Sequence, residues 1–305
     1  MRVAITGASG LIGTALSGSL RADGHEVLAL VRREARAGES RWNPAAGIID
    51  ADALLACDAV VNLAGASIGD KRLTPSYQQV VLKSRTDATG LVTRTLADGK
   101  WGGVLIQGSA MGFYGARGEE PLTERSEPGH SILAGIVSAW EASAQPAVDA
   151  GIRTVFMRTG LVLAPSGGFA ERLLPLVRRG LLSKLGPGTA WHSWISIEDD
   201  SRAIRFLIDS EHEGPANVIA PNPTRDVDLV AALAHAAGKS PGLGVPAWVL
   251  ETVVGTAAED LLSSQNARPG VLTRLGFEWH HPTIEDAAAF VMAGAGFAPP
   301  ASPVG

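Results

Sequence analysis

The chain opens on a short apolar run, Val3–Thr6, that ends at a glycine. Apolar positions at helical spacing follow from Leu11 to Ala22 and stop at Gly24. Further apolar runs at His25–Val31, Ala59–Leu63, Val104–Ile106 and Thr154–Met157 are too short for helices and read as strands. Between them Ser76–Leu96 reads as a long helix, and Ile132–Ala150 as another that Pro146 should end or kink. Strands that are apolar throughout and alternate with helices predict a parallel sheet covered on both faces. This is an α/β fold with a Rossmann-type doubly wound sheet. After about residue 163 the rhythm changes. Gly167–Gly168 and Gly186–Pro187–Gly188 punctuate loops. Helices are predicted at Asp226–Ala237, with Gly238 as its stop, at Pro246–Leu262 and at Thr283–Met292. The expected layout is a sheet domain at 1–163, a smaller α+β region at 164–298, and a mobile tail rich in Pro, Ala and Ser at 299–305.

The junction of the first strand and helix carries the most specific signal, Gly7-Ala8-Ser9-Gly10-Leu11-Ile12-Gly13. Gly7 permits the turn out of the strand, Gly10 lets the backbone approach a pyrophosphate, and Gly13 lets the helix pack closely. The helix start adds free N–H groups and a partial positive charge. Gly7, Ser9, Gly10, Leu11, Ile12 and Gly13 are therefore candidate dinucleotide contacts. A site that prefers NAD places an acid about 20 residues past the glycines, on the ribose 2′-hydroxyl. Here that place holds Arg32 and Arg33. Arginine pairs with a 2′-phosphate, so NADP(H) is the preferred cofactor, and Glu34 keeps NAD(H) open as an alternative.

Composition narrows the chemistry. Of 305 residues, 46% are hydrophobic and 19% charged, enough for a large core. The net charge of −5 and the lack of a basic run argue against a nucleic-acid partner. No apolar stretch is long enough to span a membrane, and no signal peptide is seen, so a cytoplasmic location is expected. The single Cys57 builds neither a disulfide nor a thiolate metal site, and His280–His281 has no convincing further ligand, so no metal is expected. Only two tyrosines, Tyr77 and Tyr114, and five lysines are present.

Three later segments join the glycine loop in a resemblance. Asn62-Leu63-Ala64-Gly65, Gly108-Ser109-Ala110-Met111-Gly112-Phe113-Tyr114-Gly115 and Trp194-Ile195-Ser196-Ile197-Glu198-Asp199-Asp200 resemble the extended-type short-chain dehydrogenase/reductases. Trp140-Glu141, Arg158-Thr159-Gly160-Leu161-Val162-Leu163 and the region from Pro246 resemble a narrower atypical group, the "NAD-dependent epimerase/dehydratase" or epimerase family proteins. The resemblance covers about residues 1–295. It implies that Leu63, Ala64, Gly65, Ser109 and Ala110 pass beside the cofactor. It also implies a homodimer through two helices, for which 76–96 and 132–150 are the candidates.

The usual members of that superfamily transfer a proton with a Tyr-x-x-x-Lys pair, whose lysine lowers the pKa of the phenol. Neither tyrosine here has a lysine four residues on. With Glu141 as anchor, the resemblance places Leu133 and Val137 at the Tyr and Lys positions, and Ala110 at the Ser/Thr position. The narrower group is also described as lacking these residues. Ser109 and Tyr114 are the remaining catalytic candidates. Lys83 and Arg85 could reach the cleft from their helix, and Trp191, His192 and Trp194 fall on the substrate side. Arg158, at a strand end, is expected either to meet a cofactor or substrate anion or to pair with Glu119–Glu120. The expected function is an NADP(H)-binding oxidoreductase or epimerase acting on a small polar or nucleotide-sugar-like molecule with non-standard proton transfer. The alternative is a catalytically silent NADP-binding sensor or regulatory module.

Overall fold

The apolar runs become strands of one sheet. The computed structural model describes residues 1–68, 71–178, 180, 188–240 and 263–297. Its seven-stranded sheet comprises β1 (Arg2–Thr6), β2 (Glu26–Val31), β3 (Glu39–Arg41), β4 (Ala59–Asn62), β5 (Val104–Ala110), β6 (Arg153–Thr159) and β7 (Gly214–Val218). The spatial order is β7-β6-β5-β4-β1-β2-β3, and every neighbouring pair is parallel. The chain winds outward from β1 to β3 and then resumes on the other side at β4. This leaves a crevice at the carboxyl ends of β1 and β4, where doubly wound sheets take their ligands.

Alternate strand residues serve opposite faces. Val3, Ile5, Val61 and Ile106 pack with Leu16 and Leu20 of α1 (Leu11–Ala22) and with Ile204 and Leu207 of a later helix. Ala4, Val60 and Leu105 pack on the other face with Val92 and Leu96 of α2 (Pro75–Asp98). The helix expected over 132–150 is two pieces, α3 (Ile132–Ala142) and α4 (Gln145–Asp149). Pro146 sits in the first turn of α4, where its missing N–H breaks no helical bond, so the break falls just before it.

The sheet does not end at residue 163. Its edge strand β7, and α5 (Ile197–Asp209), which covers the same face as α1, come from the later part of the chain. Pro215 in β7 is tolerated because β7 pairs only with β6. Part of the remaining C-terminal chain builds a second core. There Leu229 and Leu233 of α6 (Asp226–Ala236) and Ile284 and Val291 of α7 (Ile284–Gly294) enclose Leu163, Leu173 and Trp194. The helix expected at 246–262, part of the 186–188 loop and the 299–305 tail lie outside the described residues.

Candidate functional site

The glycine loop takes its shape from backbone crowding. Gly7 has φ +69°, and a Cβ there would sit 2.9 Å from the Leu63 carbonyl oxygen. A Cβ on Gly13 would fall 2.3 Å from the Gly7 carbonyl oxygen and 2.7 Å from Ala8 Cα. At Gly10 the nearest atom to an added Cβ is the Gly7 oxygen at 3.3 Å, so this glycine leaves a bare backbone at the surface. Gly10 caps α1 without a side-chain hydrogen bond, and no acid stands in the first turn. The opening N–H groups of α1 are thus left to a ligand.

Beside this loop, Thr6 fixes the start of the segment after β4. Its hydroxyl donates to Asn62 Oδ1 (2.6 Å) and accepts from the N–H groups of Leu63 and Ala64, both at 3.0 Å. Asn62 Nδ2 donates to Gln107 Oε1 and Thr89 Oγ1, and Trp140 Nε1 donates to Thr89 as well. Thr6, Asn62, Thr89 and Gln107 are fully buried. This network ties the carboxyl ends of β1, β4 and β5 to α2 and α3. Arg85 lies under the same segment, donating to the Ala66 carbonyl and stacking 4.9 Å from the Trp140 ring. Burial pushes its pKa down to about 10. Lys83 faces outward and pairs with Asp87.

Gly7, Gly10, Leu11, Ile12, Gly13, Leu63 and Ser109 line one cleft of about 240 Å³, closed by Trp140, Met157, Thr159 and Val162. A second cavity of about 250 Å³ holds Ala110, Met111, Gly112, His192, Ser193 and Gln265. Leu11, Thr159 and Val162 line both, so the two adjoin. Ser9 lies exposed at the loop tip, and Ala64 and Gly65 follow Leu63 along the rim.

Two predicted residues point elsewhere. Tyr114 is fully buried; its hydroxyl donates to Asn217 Oδ1 (2.7 Å) and accepts from Arg158 Nη1 (2.9 Å). Burial raises its pKa, and Arg158 offsets this only in part. Arg158 is 4% exposed and binds Glu141 through both fork arms, Nε to Oε1 and Nη2 to Oε2, each at 2.9 Å. Burial opposes its charge, but Glu141 and Tyr114 outweigh burial and hold its pKa above the usual arginine value. The expected partner Glu119 instead pairs with Arg225 and accepts from Trp191 Nε1. The Ser109 hydroxyl donates to Glu141 Oε1 at 2.5 Å. With its proton committed there, Ser109 presents lone pairs to the cleft.

The positions that would carry Tyr and Lys face inward too. Val137 is buried with Met111, Phe113 and Tyr114, and Leu133 lies beside Gly112. On the substrate side Trp194 is interior, its Nε1 on Thr224, whereas His192 lines the cavity with Nε2 3.1 Å from Asp226 Oδ1. His280 pairs with Glu198, and His281 lies against Ser196 and Asp199; among the described residues no three candidate ligands converge on a metal position. Among the described residues no helix is long and apolar enough to cross a membrane. At the end of β2, Arg32 is exposed and Arg33 is gripped by Glu39.

Comparison with known proteins gives one consistent answer. Residues 3–220 match the NAD dependent epimerase/dehydratase family, and residues 245–291 match DUF1731, a domain of unknown function. An epimerase family protein of Mycobacterium bovis is 39% identical over 293 residues, covering 94% of this chain and 96% of that protein. The mouse epimerase family protein SDR39U1 is 31% identical, covering 96% and 100%. The crystal structure of human SDR39U1 (isoform 2) with NADPH superposes with a TM-score of 0.86 at 27% identity, covering 96% of this chain and 99% of that one.

Proposed function

Because this chain belongs to the NAD dependent epimerase/dehydratase family, we propose that it binds NADP(H) in the β1–α1 groove and acts as an oxidoreductase or epimerase. Its substrate would be a small polar or nucleotide-sugar-like molecule held in the adjoining cavity. One observation carries this reading: the cleft over the glycine loop adjoins a second cavity lined by Ala110 and His192, the two sharing Leu11, Thr159 and Val162. The NADPH in the human relative supports the choice of cofactor.

The residues fit such a group. An uncapped helix start, a bare Gly10 and a loop crowded at Gly7 and Gly13 suit a pyrophosphate, while Arg32 suits a 2′-phosphate. Nicotinamide supplies hydride transfer when bound, and the protein supplies orientation and electrostatics. Ser109, its proton directed at Glu141, accepts a hydrogen bond from the cofactor carboxamide or a substrate hydroxyl and so positions it. Arg158 holds the Glu141 carboxylate in place for this role. Tyr114 is read as a strut between Arg158 and Asn217. His192, oriented by Asp226, is the titratable side chain lining the groove among the described residues, and it is the candidate to exchange a proton with substrate. The homodimer through α2 and α3 remains part of the proposal.

The test is turnover. The purified protein is mixed with NADPH and a panel of carbonyl compounds, and separately with NADP⁺ and nucleotide sugars. Cofactor-dependent conversion supports the reading, and binding without conversion of any compound refutes the enzymatic part. One observation favours the second reading, a silent NADP-binding module: apolar Leu133, Val137 and Ala110 stand where proton-transfer residues would be. That reading expects tight cofactor binding, no turnover, and a partner whose affinity follows the redox state of the cofactor.

A further inference from the structure

The stretch from the end of β2 through β3 holds more charge than a 2′-phosphate reader needs. Four arginines, Arg32, Arg33, Arg36 and Arg41, share it with two acids, Glu34 and Glu39. The register sets Thr6 of β1 beside Leu30 of β2, so Arg32 and Arg33 leave the sheet next to the glycine turn. Both acids are occupied. Glu34 pairs with Arg41 at 2.9 Å. Glu39 opens β3 opposite Ala29, and its carboxylate takes both arms of the Arg33 fork, at 2.6 and 2.5 Å, and the Arg36 N–H at 2.8 Å. The side chains of Arg32 and Arg36 form no hydrogen bond or ion pair among the described residues. Four cations against two anions leave an excess of two positive charges. A phosphate monoester carries close to two negative charges at neutral pH.

We propose that Glu39 is a built-in competitor for Arg33, a carboxylate that restrains the recognition of the 2′-phosphate and so sets the selectivity between NADP(H) and NAD(H). This rests on the reading that the groove binds a dinucleotide. The Nη1/Nη2 edge of Arg33, which Glu39 occupies, can hold one anion at a time. While Glu39 holds it, Arg32 is the arginine at the strand end that meets the phosphate unopposed. Removing the carboxylate frees the fork and adds one net positive charge. NAD(H), with a hydroxyl in place of the phosphate, presents no anion to the freed fork, and its pyrophosphate belongs at the start of α1, away from it. An exposed ion pair is a weak restraint, so the selectivity gain is modest, about three- to fivefold in Kd.

The experiment is calorimetric titration of NADPH, NADH, 2′,5′-ADP and 5′-ADP into the wild type, E39Q, R33Q and the double variant. E39Q should bind NADPH and 2′,5′-ADP about three- to fivefold more tightly, with NADH and 5′-ADP unchanged. The gain should vanish when R33Q is combined with E39Q, because Arg33 is what Glu39 restrains. NADPH binding that is equal or weaker in E39Q, or a gain that survives in the double variant, overturns the competitor role alone. A wild type that binds none of the four ligands overturns the dinucleotide reading and this inference with it. Thermal melts of each variant separate a lost fold from a lost contact.

Discussion

Two glycines on one helix give a controlled test of the loop. Gly13 and Gly18 both lie in α1, and in each case alanine would raise helix propensity by about 1 kcal/mol. At Gly18 an added Cβ meets nothing within 4 Å, so Gly18→Ala should stabilise the fold by about 0.5–1 kcal/mol. At Gly13 the same methyl meets the Gly7 oxygen at 2.3 Å, Ala8 Cα at 2.7 Å and the Gly7 carbonyl carbon at 2.9 Å. All three are backbone atoms, so relief requires moving α1 or the turn. Overpacking of this kind costs about 1–3 kcal/mol. The propensity gain cancels between the two alanine variants, so they should differ by about 1–3 kcal/mol in urea unfolding, with Gly13→Ala the weaker. Because the displaced atoms form the proposed pyrophosphate seat, NADPH affinity should also fall, by about tenfold for each 1.4 kcal/mol lost there. Equal stability of the two variants with unchanged NADPH affinity would refute the packing argument.

Other consequences are separately measurable. Tyr114→Phe leaves Arg158 Nη1 and Asn217 Oδ1 short of a partner and should cost about 1–3 kcal/mol in denaturant unfolding, while NADPH affinity stays unchanged. Arg158→Met strands the half of the pair carried by Glu141, so a loss of about 3–5 kcal/mol in the same assay is expected. Thr89→Val removes the acceptor used by Asn62 and Trp140 and should lower stability by about 2 kcal/mol or more. Asp200 is fully buried with no partner on either oxygen among the described residues, and burial raises its pKa from 3.8 to about 8. Below pH 3.8 both folded and unfolded chains carry its proton; from there to about 8 only the folded chain does, so its contribution to stability falls as pH rises. Asp200→Asn should gain on the wild type across that window, by up to a few kcal/mol, and a gap in melting temperature that is constant with pH would count against this.

The parts of the fold that read from sequence are those with local causes. The glycine spacing, the apolar runs of β1, β2, β4, β5 and β6, and the position of Pro146 each act within a few residues. Strand β7 did not read, because five residues with a proline at an edge carry little apolar periodicity. The site divides in the same way. Gly7, Gly10, Gly13, Leu63 and Ser109 come together in one cleft, as their spacing and the family resemblance imply. The inward turn of Arg158 and Tyr114 could not be read from the sequence, because the partners that hold them are not neighbours along the chain. Arg158 meets Glu141, 17 residues away, and Tyr114 meets Asn217, 103 residues away. For Glu141 the hints were its part in the family resemblance and its place one helical turn beyond Val137; its side chain meets Ser109. Asp226 behind His192 and Glu39 behind Arg33 had no signal at all, since an acid at a helix or strand start is ordinarily a solvated residue.

The central claim is that the β1–α1 groove holds NADP(H) with its reactive end against Ser109. A crystal structure of the protein with NADPH tests it directly. The account predicts a pyrophosphate over the N–H groups that open α1, a 2′-phosphate on Arg32, and the carboxamide within hydrogen-bond reach of Ser109. A cofactor bound outside that groove, or a groove still empty at saturating NADPH, would contradict it.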